Sequence, residues 1–319
     1  MDSSTAFNWH PWGEFARYNP LPMEEVKTCD ACGSALGGRR IEGMAEVSLV
    51  QCDCGLVITS PRPTISEIGT YYPPTYYSYA QSAPNLIRRI VDRVKAYKGG
   101  YPTRDGLLAR VFWGLSASVL QNLFLFHLPY QGTDQKLLEI GCGSGLNLRW
   151  ASEHGWDVYG LELGEQSVAE AHRQGFTNVR RADIEDADFP AQFFDAVLLN
   201  HTLEHLYSPA AAIRRSYQLL RPGGTLVVTV PKFDSWPRYV SGKFWAHLDL
   251  PRHLYHFKQS VLLKIISDAG FSVREVRLSS KAITLYFTFR TLGKADQLKR
   301  MLALPGGTLS DVMLIVAEK

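Results

Sequence analysis

The chain has almost no net charge. Its 34 lysine and arginine residues against 31 aspartate and glutamate residues leave +3 over 319 residues, too mild a balance to point to nucleic acid. MDSSTAFNWH also lacks a basic-then-apolar pattern, so no export leader and a cytoplasmic protein are expected. No internal repeat or low-complexity tract interrupts the sequence. The strongly apolar stretch 107–130 is broken by Arg110, Gln121 and Asn122, so it does not read as a membrane span. What remains is ordinary globular composition. With 45% hydrophobic and 20% charged residues, the chain can bury a sizeable core, and its length leaves room for one large domain plus a small one.

The most informative stretch is LLEIGCGSG (137–145), an apolar strand ending in an acid and followed by glycines at Gly141, Gly143 and Gly145. Glycines let the backbone turn sharply into a helix, expected from Leu146, and approach a ligand closely. The free N–H groups of that helix start favour an anionic or polar ligand group. A dinucleotide G-x-G-x-x-G would need its third glycine at position 146, where Leu146 stands, and a phosphate-binding loop would need Gly-Lys-Ser/Thr, which is missing.

Supporting residues follow in order. DVYGLELG (157–164) is a second strand ending in Glu162, about 20 positions after the turn, where an acid can accept from ribose hydroxyls. Asp183 sits just past a third short strand. FDAVLLNHTLEHL (194–206) runs a fourth strand into Asn200, His201, Glu204 and His205, and LLRPGGTLVVTVP (219–231) closes a helix and opens a fifth strand. Alternating strands and helices predict a doubly wound parallel α/β sheet with ligands at the carboxyl ends of its strands. KQSVLLKIISDAGF reads as an amphipathic helix over 258–269 stopped by Gly270. FSVREVRLSS and DVMLIVAEK supply two last strands, residues 283–303 look helical, and LPGG (304–307) turns the chain into the final strand.

The ordered set E-x-G-x-G-x-G, acidic strand end, A-D-I, F-D-x-V, L-E-H-L and L-x-P-G-G-x-L resembles class I S-adenosylmethionine-dependent methyltransferases over about residues 130–319. The resemblance implies a seven-stranded Rossmann-like sheet whose last two strands form an antiparallel hairpin at its edge. It also implies that Glu139, Gly141, Gly143 and Gly145 hold the methionine end of the cofactor. Glu162, followed by Leu163, would bind the ribose. Asp183 and Ile184 would lie against the adenine, and Asn200 and His201 would line the floor near the sulfonium.

Cysteine is scarce, and four of the five residues cluster: Cys29, Cys32, Cys52 and Cys54. Two knuckles, each followed by glycine, suit a closed tetrahedral zinc site of structural type. Disulfides compete less well in a cytosolic enzyme. The second pair is C-x-C where the usual knuckle is C-x-x-C, which leaves one ligand open. The pattern with its following P-R-P also resembles a small zinc-binding module ahead of some bacterial methyltransferases, several of which act on sugars or other small metabolites. Three units are therefore expected: 1–62 with the zinc-ribbon-like module, 63–130 as a tyrosine-rich linker and helical cap, and 131–319 as the methyltransferase domain.

In the linker, Tyr71, Tyr72, Tyr76, Tyr77 and Tyr79 are expected to pack mostly on the domain, with one or two reaching the substrate. NLIRRIVDRVKAY (85–97) places Leu86, Ile90, Val91 and Val94 at helical spacing among basic residues. Together with 107–130 it reads either as a cap over the pocket or as a surface for peripheral membrane contact through 86–130.

Methyl transfer needs alignment and, for a hydroxyl acceptor, a base. Candidate bases are His253, His205 and His201, with His253 ranked slightly above His205 because its P-R-H-L-x-x-F context resembles a segment bordering the family's substrate pocket. A metal-assisted route through His201, Glu204 and His205 is a further reading. The expected activity is methylation, foremost O-methylation, of a small metabolite, sugar nucleotide or lipid-linked glycan intermediate. C-methylation of a sugar nucleotide and a non-catalytic cofactor-binding scaffold are the alternatives. No N-P-P-Y-type motif follows the fourth strand, and the cysteine module mixes acids with bases, so no nucleic-acid partner is expected.

Overall fold

The computed structural model describes residues 22–37, 39–44, 47–72, 85–102, 105–120, 128–130, 132, 134–279 and 310–319. The expectations for Tyr76, Tyr77 and Tyr79, for 283–303 and for 304–307 lie outside these residues.

The chain opens with short antiparallel strands. β1 (Met23–Glu24) pairs with β5 (Arg62–Pro63), and β2 (Arg39–Met44), β3 (Val47–Gln51) and β4 (Val57–Ser60) form a meander. All four residues of β4 are buried, because it is covered on both faces. Two helices follow, α1 (Asn85–Gly99) and α2 (Leu107–Leu120). Val94 is fully buried and Ile90 is 38% exposed. No helix among the described residues is long and apolar enough to cross a membrane.

The large sheet is built from β6 (Gln135–Ile140), β7 (Trp156–Glu162), β8 (Val179–Arg181), β9 (Phe194–Asn200), β10 (Leu220–Pro231), β12 (Ser272–Ser279) and β13 (Val312–Glu318). Between them run α3 (Leu146–Glu153), α4 (Glu165–Arg173), α5 (Pro209–Leu219), α6 (Trp236–Ser241) and α7 (Gln259–Asp268). The strand order is β12-β13-β10-β9-β6-β7-β8, with seven strands among the described residues. β8, β7, β6, β9 and β10 are parallel neighbours, and β13 is antiparallel to both β10 and β12. The expected hairpin is thus present at the edge, with β13 inserted next to β10. Phe194 to Leu199 are all buried, as a central parallel strand requires when helices cover both faces. Adjacent residues serve opposite faces: Leu138 and Leu199 join one core cluster, Leu137 and Leu198 the other. α7 begins after Lys258 and ends before Ala269, and Gly270 takes a φ of +100° where the helix stops. The R-P-G-G segment lies within β10, whose register shifts between Leu220 and Thr225.

The strand order reverses at β6. From β6 the chain moves outward through β7 and β8, then returns to place β9 on the other side of β6. Such a switch point opens a crevice beyond the carboxyl ends of the two strands. The glycine turn leaves β6 there, and the N-H-T-L-E-H segment leaves β9.

The cysteine-bearing part packs on the sheet. Cys29, Cys52, Leu56 and Ile58 belong to the same core cluster as Leu138, Val197 and Ile213. A short strand that follows α6 in the chain, β11 (Tyr255–His256), extends the meander by pairing with β4. On the opposite face Ala96 and Tyr101 pack with Leu137, Trp150 and Val227. The described end of α1 therefore forms a flanking layer of the sheet.

Asp30, between the first two cysteines, reaches α5: its Oδ2 accepts the Ala210 N–H at 2.6 Å. Ser208 at the cap position makes no side-chain cap bond, so the cap is supplied from 180 residues away. Asp30→Ala should lower unfolding stability by about 1–2 kcal/mol, read as a shift of the urea midpoint; an unchanged midpoint would rule out this long-range cap.

Candidate active site

All three glycines of the turn after β6 are left-handed, with φ of +68°, +53° and +88° at Gly141, Gly143 and Gly145. A Cβ on Gly141 would meet Thr202 at 2.5 Å, and one on Gly145 would meet Phe176 at 2.8 Å. The first contact joins the turn to the segment leaving β9. Gly145 caps α3, which starts at Leu146 as expected.

Glu162, at the end of β7, is held by two backbone donors: the Gly143 N–H at 2.9 Å to Oε2 and the Gly164 N–H at 2.8 Å to Oε1. Each oxygen keeps a further lone pair for a ligand. Leu163 beside it is 56% exposed, whereas the Ile184 side chain is buried in the core. Asp183 accepts the Glu185 N–H at 3.2 Å. Asn200 is half-buried where β9 ends.

Glu139 is 2% exposed. Its Oε1 accepts from Asn147 Nδ2 at 2.7 Å, and its Oε2 is buried without a hydrogen bond. Burial pushes the carboxyl up to about 8, against the Asn147 bond and the Lys95 charge, which favour ionisation. Asn147 and Lys95 were not singled out by the sequence as site residues; Asn147 had the signal of lying in the helix that follows the turn, and Lys95, on α1, is brought to Glu139 only by the tertiary structure.

The segments after β9 and before β11 converge on Glu204. This residue is 1% exposed; its Oε1 faces His201 Nδ1 at 3.3 Å, and its Oε2 is a buried acceptor without a partner. Burial alone would raise its pKa. The His201 hydrogen bond and the neighbouring His201, His205 and His253 outweigh it and hold the carboxyl at about 2. His201 has a φ of +55° and a 25% exposed side chain. His205 Nδ1 lies 3.1 Å from the Arg252 carbonyl and 3.0 Å from the Tyr72 hydroxyl. His253 Nδ1 lies 2.8 Å from the His247 carbonyl, and its ring meets that of His205 edge-on at 4.6 Å. Burial, reinforced by His205, pushes His253 down to about 4. The structure thus brings His201, His205 and His253 around one carboxylate. It adds Tyr72 from the tyrosine-rich stretch, and His247, whose Nε2 stands 3.2 Å from the buried Asp311 at the start of β13.

A second donor set lies in the cysteine part. The Cys29–Cys54 and Cys32–Cys52 sulfurs are each 3.6 Å apart, and all four lie within 4.8 Å of one another. That spacing is far too long for a disulfide. It matches the edge, about 3.8 Å, of a sulfur tetrahedron around a zinc ion with bonds of about 2.3 Å. The two knuckles close alike despite their unequal spacing: Gly33 and Gly55 are left-handed, and each donates at 2.8 Å to the carbonyl of the first cysteine of its pair. All four cysteines therefore converge.

The profile of the methyltransferase-domain family matches residues 112–276. The chain belongs to this family of class I S-adenosylmethionine-dependent methyltransferase domains. Among similar proteins, malonyl-[acyl-carrier protein] O-methyltransferase of Enterobacter lignolyticus is 33% identical over 123 residues, covering 38% of this chain and 48% of that protein. Ubiquinone biosynthesis O-methyltransferase of Cereibacter sphaeroides is 30% identical over 156 residues, covering 45% and 62%. The chain thus spans less than two thirds of either relative. A solved S-adenosylmethionine-dependent methyltransferase from Mesorhizobium loti aligns with a TM-score of 0.44 at 22% identity, covering 67% of this chain and 100% of that one.

The raised Glu139 carboxyl sets a sign for this methyltransferase domain. The folded state keeps a proton that the unfolded chain gives up near the usual carboxyl value of 4.5. Ligand-free stability contributed by this group is present below that value and is lost as pH rises towards about 8. Glu139→Gln should flatten this loss; thermal midpoints of wild type and variant across that window test it, and parallel curves would refute the buried neutral acid.

Proposed function

We propose that this chain transfers a methyl group from S-adenosylmethionine to an oxygen of a small-molecule acceptor, with His201 as the base. The observation that carries the reading is the buried, unpartnered Oε2 of Glu139 beside a glycine turn that tolerates no side chains at Gly141 and Gly145. An orphaned buried acceptor costs about 1–3 kcal/mol unless a donor meets it, and a ligand ammonium group would. In this reading Glu139, Gly141, Gly143 and Gly145 hold the methionine end and Glu162 the ribose hydroxyls. Leu163, Asp183 and Ile184 flank the adenine, with the Ile184 side chain only backing that wall from the core. Asn200 and His201 border the sulfonium.

The bound cofactor supplies an electrophilic methyl group on a good leaving group. The protein's part is alignment and removal of the acceptor proton. His201 suits the second task because the buried Glu204 carboxylate faces its Nδ1, fixing the tautomer and stabilising the protonated ring. His253 is a poorer base, since it is 7% exposed and held down at about 4. Both relatives named above carry O-methyltransferase in their names, which favours oxygen over carbon. Sugar nucleotides and lipid-linked glycan intermediates head the acceptor classes to screen.

The four cysteines would hold a structural zinc ion, leaving no open position for chemistry. Elemental analysis should find zinc in the purified chain and a loss of it in Cys32→Ser, together with a lower thermal midpoint; wild-type protein without zinc would overturn the assignment. Calorimetry should show S-adenosylhomocysteine binding, and His201→Gln should retain that binding while kcat falls by a factor on the order of 10²–10⁴. Absence of S-adenosylhomocysteine binding by the folded, zinc-loaded protein would refute the cofactor assignment, binding without methyl transfer to any acceptor would favour the scaffold, and an unaltered kcat would remove His201.

A further inference from the structure

We propose that Glu204, His205 and His253 form a binding site for a divalent first-row metal ion, distinct from the four-cysteine centre. One ligand atom from each of the three residues lies within 4.8 Å of the others. A carboxylate with two imidazoles is a donor set suited to manganese, iron or zinc, and three protein ligands leave positions open for a substrate oxygen or water.

Two independent features point to a ligand here. The first is Glu204 itself, 1% exposed, with Oε1 turned to His201 and Oε2 buried without a partner. Removing a carboxylate from water and leaving one oxygen unmet is costly, and a cation would meet it. The second is the orientation of both histidines. His205 Nδ1 faces the Arg252 carbonyl at 3.1 Å, and His253 Nδ1 faces the His247 carbonyl at 2.8 Å. A carbonyl only accepts, so in each neutral ring Nδ1 carries the hydrogen and Nε2 presents a lone pair. Metal-ligating histidines are held in this way, by a backbone carbonyl or carboxylate on the other nitrogen. The Tyr72 hydroxyl, 3.0 Å away, approaches the same Nδ1 of His205 and leaves Nε2 clear. Asp249 Oδ2 is 3.7 Å from His253 Nε2, too far for a hydrogen bond.

A part of the proposal rests on the proposed methyl transfer. The ion would bind the acceptor hydroxyl through its oxygen and weaken the O–H bond. The proton passes to His201, the oxygen forms its bond to the methyl carbon as the carbon–sulfur bond breaks, and S-adenosylhomocysteine leaves.

Divalent manganese is the probe, because hard cations prefer oxygen and nitrogen donors over a four-thiolate site. Electron paramagnetic resonance titration of the full zinc-loaded chain should show a single manganese ion taken up, with affinity reduced at least tenfold in Glu204→Gln and in His253→Gln. Retained S-adenosylhomocysteine binding by His253→Gln shows that the variant is folded. No uptake at millimolar manganese, or uptake unaffected by either substitution, overturns the metal site. If manganese binds as expected but His201→Gln keeps full methyl transfer, the base assignment fails and the metal site stands. Full transfer in a chelator, with no manganese uptake, reverses that outcome.

Discussion

The adjacency of β6 and β9 is the constraint on which the site depends. Each strand ends in a segment that must turn sharply. The two turns approach so closely that Gly141 has no room for a side chain beside Thr202. This contact sets the glycine cradle against the loop that carries His201, Glu204 and His205. A ligand group held by one turn, as proposed, would thereby come within reach of side chains on the other. A bulkier residue at position 141 would separate the two without touching any chemical group.

The N-terminal cysteine part supports the same loop from the outside. Thr59 on β4 donates its hydroxyl to the His253 carbonyl at 2.7 Å and lies 3.1 Å from His256 Nε2, while its N–H bonds the Leu254 carbonyl at 2.9 Å. Leu254 in turn donates to the Glu204 carbonyl at 2.8 Å. Arg62 interacts with Glu24, the Tyr207 carbonyl and the Tyr255 hydroxyl. Backbone hydrogen bonds of this kind fix φ and ψ of the segment they pair. The cysteine knuckles thus anchor a strand whose partner is the histidine-bearing segment.

Two buried glutamates in the crevice have opposite fates. Glu139 meets one amide donor, and burial pushes it up to about 8; Glu204 is surrounded by three histidines and is held at about 2. Burial is comparable, so the difference comes from what faces each carboxylate. The proposed chemistry uses that contrast: a neutral acid that a cationic ligand group can ionise, and a permanent anion that orients imidazoles.

Much of this was legible along the chain. The parallel strands appear as apolar bursts, α3 and α7 as helices bounded by glycine, and the four-cysteine cluster as two glycine-terminated knuckles, because each is set by spacing over a few residues. The cap that Asp30 gives α5 and the placing of Tyr72, His247 and Asp311 around the histidines were not legible. These contacts join residues far apart in sequence through sheet pairing and packing. The sequence by itself determined the family, the succession of strands and helices along the chain and the residue types in the crevice. Only the tertiary structure decided which histidines are half-buried, which is buried and which carboxylate oxygens are left unmet, because burial and partner choice depend on long-range packing that no local pattern records.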